Sequence, residues 1–113
     1  MSNVTSVFVI VGDSGGGSAD EVAPKVAGAI ADFIPEVSAS PPPVISLGRD
    51  DWHSLQGGSK GADGAVLWFG WNYGDGHVDE LERHLQRLGF ENITVWSQGG
   101  AAYPPLPPRV TSW

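Results

Sequence analysis

Val4–Val11 reads VTSVFVIV, a run rich in β-branched and aromatic residues. As a strand it sends Val7, Val9 and Val11 one way and Phe8 and Ile10 the other. Both sets are apolar, so this strand belongs in the middle of a sheet and is covered on both sides. Gly12-Asp13-Ser14-Gly15-Gly16-Gly17 follows, a loop that no regular element tolerates. Ser18-Ala19-Asp20-Glu21 then fits a capping box, in which a Ser hydroxyl and a Glu three residues on satisfy free amides at a helix start. The helix is expected to run to about Ile34, with Val22, Val26, Ile30 and Phe33 as its apolar stripe. Pro24 requires it to start near Asp20 or to kink, and Pro35 is expected to close it.

Downstream, Pro41-Pro42-Pro43 is a stiff connector and Val44–Leu47 a short strand near an edge. Asp50–Gly64 reads as a loop. Ala65–Tyr73 (AVLWFGWNY) is the second clear strand, with Leu67, Phe69, Trp71 and Tyr73 on one face and Val66, Trp68 and Gly70 on the other. A helix from about His77 to Leu88 carries Val78, Leu81, Leu85 and Leu88 as its buried stripe. Gly89 suits a left-handed residue just past its end, with Phe90 packing back on Leu85. Asn92–Gln98 is the last strand, with Ile93 and Val95 opposite in facing to Thr94 and Trp96.

The order β-α-β-β-α-β is that of the split βαβ, or ferredoxin-like, arrangement: a four-stranded antiparallel sheet with two helices on one face. The expected organisation is one α+β domain over residues 1–99 and a Pro-rich extended tail over 100–113. In the tail, Pro104, Pro107 and Arg109 match the P-x-x-P-x-R pattern that SH3 domains read as polyproline II. The competing expectation is a tail laid back on the domain and anchored by Trp113.

Composition narrows the function. The chain has 113 residues, 41% of them hydrophobic and 17% charged, which excludes a disordered polyelectrolyte. No apolar run approaches the roughly 20 residues of a membrane span, and no signal-peptide pattern is present. With no cysteine, thiolate metal sites and cysteine nucleophiles are excluded. Six Lys+Arg against 13 Asp+Glu give a net charge of −7, the wrong sign for nucleic acid or anionic lipid. Only Lys25 and Lys60 are lysines, and usage leans to Gly, Ala, Pro, Val and Trp. That style points to a bacterial or phage accessory protein located in the cytoplasm.

Catalytic motifs do not survive inspection. Gly12-Asp13-Ser14-Gly15-Gly16 is similar to the string around the nucleophile of trypsin-like serine proteases. That likeness covers this string alone, and no His precedes Ser14 to act as its base. The loop also lacks the Gly-Lys-Ser/Thr ending of a phosphate loop. His77 and His84 lie about 10 Å apart along a helix, too far to share one zinc. No catalytic residue, metal ligand or cofactor is therefore assigned.

The five tryptophans carry more weight. Strands one, three and four are apolar on both faces, while two helices can cover only one. A homodimer packed sheet against sheet resolves this, and the expected function is a non-enzymatic protein-interaction module. The binding residues are expected among Trp68, Trp71, Tyr73, Trp96, Pro104, Pro107 and Arg109. The rivals are a structural subunit of a larger assembly and a small-molecule binder that uses the Gly-rich loop and the tryptophans.

Overall fold

In the computed structural model the described residues are 4–38, 42–48, 64–99 and 107–113. The strand VTSVFVIV, extended by Gly12, is β1 (Val4–Gly12). It is followed by α1 (Ala19–Val37), β2 (Ser46–Gly48), β3 (Gly64–Asn72), a 3-10 turn at Asp75–His77, α2 (Val78–Arg87), β4 (Ile93–Gly99) and β5 (Arg109–Ser112). The five strands form one sheet in the order β2-β3-β1-β4-β5, with every neighbouring pair antiparallel. The fold is thus α+β, a five-stranded antiparallel sheet with two helices. The sequence order of the first four strands and both helices follows the expected β-α-β-β-α-β.

β1 lies in the centre, as its two apolar faces require. Its odd-numbered residues face the helices: Val7 pairs with Phe69 and Ser97, Val9 with Leu67 and Val95, and Val11 with Ala65 and Ile93. The apolar residues of this set are buried in one core with Val22, Val26, Ile30 and Phe33 of α1 and Val78, Leu81 and Leu85 of α2. A two-layer stack of sheet and helices results, in which the stripe of each helix is removed from water by the same face of the sheet.

The ends of α1 show which local signals prevail. Ser18 caps it, its hydroxyl accepting from the Glu21 amide, and Asp13 accepts from the Ala19 amide at 2.8 Å. Pro24 lies inside the helix, five residues past its first residue, and does not break it. Pro35 does not close the helix, which continues to Val37, and the Ser38 amide bonds the Ile34 carbonyl at 3.0 Å. The buried Phe33 and Ile34 hold that last turn against the core despite the lost donor.

α2 ends as its sequence indicates. Gly89 is left-handed at φ 86°, and the Phe90 and Gly89 amides bond the carbonyls of Leu85 and Gln86 at 3.3 and 3.0 Å. These are the paired bonds of a Schellman motif. Leu88 departs from expectation. It caps the helix and is 54% exposed, while Glu82, six residues earlier, is buried.

The larger correction concerns strand count and the C-terminus. Four strands were expected with an extended tail over 100–113, but Arg109–Ser112 adds a fifth strand to β4. The physical reason is that prolines stop at Pro108. Arg109-Val110-Thr111-Ser112 has every backbone donor and two β-branched residues, so it can satisfy the open edge of β4. Beyond it, Trp113 and Ile93 exchange backbone bonds at 3.0 Å, and the Trp113 indole donates to the Phe90 carbonyl at 2.9 Å. Trp113 is thus the anchor that the sequence suggested. Residues 100–106, Pro104 among them, lie outside the described residues. No helix among the described residues is long and apolar enough to cross a membrane.

Candidate functional site

The face of the sheet turned away from the helices is the candidate site. Strand alternation builds it from the even-numbered residues of β1 and their partners. Pairing places Ser46, Trp68, Phe8, Trp96 and Val110 in one row across all five strands. Trp68, Phe8 and Trp96 are consecutive in that row. The Phe8 and Trp96 rings meet edge to face, with centroids 5.3 Å apart and planes at 72°. This arrangement sets a positive ring edge against a negative ring face and is favourable beyond the area it buries. The next row is Val66, Ile10, Thr94 and Ser112, of which Val66 is only 1% exposed, and beyond the aromatics lie Gly70, Ser6 and Gln98.

Among the described residues this face carries no charged side chain. The acidic and basic residues of α1 and α2 lie in the helical layer, and Arg109 points towards the helices, opposite Ser97. The surface is shaped as well as apolar. A depression of about 480 Å³ is lined by Phe8, Ile10, Thr94, Trp96 and Val110. On the other side of Phe8, a depression of about 340 Å³ runs past Trp68, Ser46 and Val44. Val44 and Val110 are among the most exposed large hydrophobic residues.

The expected binding residues separate. Trp68 and Trp96 share the open face. Trp71 does not join them: it is 1% exposed on the helical side, packed near Phe69 and with its ring stacked on His77. Its position after Phe69 in the β alternation already assigned it to that side. Tyr73 lies one residue past β3, exposed and left-handed at φ 56°. Pro107 is exposed just before β5. Arg109, the basic residue of the proline motif, is held within its own chain: Nη2 donates to Glu82 Oε2 at 2.9 Å. That bond, with Asp79 adding attraction from farther away, raises the Arg109 pKa, so the guanidinium stays charged. The acidic residue that an SH3 groove would offer is here supplied by α2.

Phe8, Ile10 and Val110 were not among the expected binding residues. Phe8 and Ile10 were legible from the alternation of β1, whose second apolar set had to face something. Val110 had no such signal, because its strand lies in a segment read by its prolines.

The Gly-rich loop is occupied by its own side chains. Ser14 pairs with Gly17 through the backbone, and the Ser14 hydroxyl accepts from the Gly16 amide at 3.2 Å. Asp13 and Ser18 take amides at the start of α1, so those donors are not offered to a phosphate. Asp75 accepts from the Thr5 hydroxyl at 2.6 Å and ties the turn to β1. Among the described residues no group of His, Asp and Glu is placed to hold a metal ion. Comparison of the chain with protein-family models, with curated proteins and with solved structures returns no match.

Proposed function

We propose that this chain is a non-enzymatic protein-interaction module that works as a homodimer through its open sheet face. One observation carries the reading: a chain of net charge −7 keeps a face with the row Trp68–Phe8–Trp96 and no charge among its described residues. Two such chains repel one another except where their charges point apart, and uncharged faces in contact achieve that. At ~4.8 Å per strand and ~3.4 Å per residue, strands of 9, 3, 9, 7 and 4 residues span about 500 Å² of sheet per copy. Two faces together bury about 1,000 Å², the least that a specific interface needs. The fold reading that goes with it is a ferredoxin-like βαββαβ core, in the order β2-β3-β1-β4, with β5 appended.

The test is sedimentation equilibrium of the full chain and of Trp96→Asp. The wild type is expected to dimerise at micromolar concentration, and the variant to remain monomeric with an unchanged far-UV spectrum. A wild type that is monomeric throughout, or a variant that dimerises as well, refutes the proposal.

One observation favours a second reading, that of a small-molecule binder. The depression beside Trp96 has a volume within the range of ligand sites. In that case the protein stays monomeric, and a bound compound quenches tryptophan fluorescence in a saturable way.

A further inference from the structure

β5 has two sides with different duties. Val110 stands on the open face opposite Trp96 and walls the larger depression. Its neighbour Arg109 turns to the helical side and bonds Glu82. The Glu82 side chain is 5% exposed, and its other oxygen, Oε1, has no partner among the described residues. A carboxylate removed from water in this way depends on the cation it pairs with, and losing that cation leaves an uncompensated buried charge. Besides its ladder with β4 and the Thr94–Ser112 hydroxyl bond at 3.0 Å, the strand is fastened at both ends: Trp113 holds its far end through Phe90 and Ile93, and Arg109 holds the end where Val110 sits.

We propose that Arg109 is a positioning residue for self-association. From behind the sheet, by its bond to Glu82, it sets Val110 in place on the face that the partner copy contacts. The inference rests on the homodimer reading above, and the occupant of the face is the second copy. Arg109 itself touches only its own chain.

The test is a double-mutant cycle on the dimer dissociation constant, with wild type, Arg109→Ala, Glu82→Gln and the double variant, and with Arg109→Lys and Trp96→Asp alongside. Each single change at the pair is expected to weaken the dimer about tenfold, the scale of one charged hydrogen bond discounted for a half-exposed arginine. The double variant is expected to be no weaker than either single one, and Arg109→Lys to recover most of the affinity. Amide exchange is expected to quicken at Val110 while the amides of β1 and β3 keep their protection. Unchanged dimerisation of Arg109→Ala, with Trp96→Asp monomeric, overturns this inference and leaves the interface reading standing. Effects that multiply in the double variant also overturn it, because Arg109 then acts by another route. A Trp96→Asp chain that dimerises normally overturns the interface reading itself, and a wild type that never dimerises overturns both.

Discussion

Replacing Leu85 by Ala tests the packing of α2, on which the covered side of the sheet depends. Leu85 is fully buried, in one core with Val7, Val9 and Phe33. The substitution removes three carbon atoms, worth about 2.4 kcal/mol in transfer free energy at ~0.8 kcal/mol each. If the neighbours stay in place, a void on the order of 80 Å³ adds about 2 kcal/mol. α2 is short and can settle partly into that space, so the expected loss is about 3 kcal/mol. The Phe90 amide bonds the Leu85 carbonyl, which the change leaves intact, so the end of the helix is not at issue. Leu88→Ala serves as the internal control: its side chain is already 54% exposed, and about 1 kcal/mol or less is expected. The assay is equilibrium urea unfolding at one fixed protein concentration, since self-association adds to apparent stability. A loss below about 1 kcal/mol for Leu85→Ala, or equal losses for the two variants, would refute the placement of α2.

Two further outcomes follow from local geometry. Gly74→Ala places a Cβ 2.5 Å from the ring of buried Trp71, and a loss of about 1–3 kcal/mol is expected by urea unfolding, with a changed near-UV spectrum from the displaced indole. On the surface of α2, the hydrogen bond from Arg83 holds the Asp79 carboxyl below its ordinary pKa. Asp79 therefore favours the folded state above its unfolded pKa, and that contribution fades as pH falls through the lowered folded value. Arg83→Ala is expected to return the Asp79 carboxyl towards the ordinary range, as read by NMR titration.

The sequence carried the middle of the fold better than its margins. β1, β3 and β4 were legible because their alternation is strong on both faces, and the end of α2 because Gly89 is the one residue type that takes that φ cheaply. Pro35 misled, since local backbone chemistry gave way to the burial of Phe33 and Ile34. Leu88, the fourth apolar position, falls just past the last residue of α2 and is exposed, while Glu82 inside the helix is buried. β5 was hidden behind its prolines. Of the candidate site, Trp68 and Trp96 followed from alternation alone. Trp71 was assigned to binding on its residue type, against the facing that the same alternation gave it. Arg109 was read as a ligand for an outside partner because nothing in the sequence pairs it with Glu82, 27 residues earlier in the chain.

The central position of β1 also sets a timetable. Its hydrogen-bonding partners are β3 and β4, so the strand made first has neither of them until β3 has been synthesised. Val7–Val11 is uncharged, free of proline and strongly β-forming, the composition of a segment prone to intermolecular pairing. About sixty residues separate Val11 from the end of β3, roughly 3–12 s of synthesis at ordinary translation rates. Among the described residues made in that interval, α1 is the element that shields the strand, and on one side. Cells making this protein rapidly should therefore lose it to inclusion bodies more readily than its finished stability implies, and slower synthesis at lower temperature should raise the soluble yield.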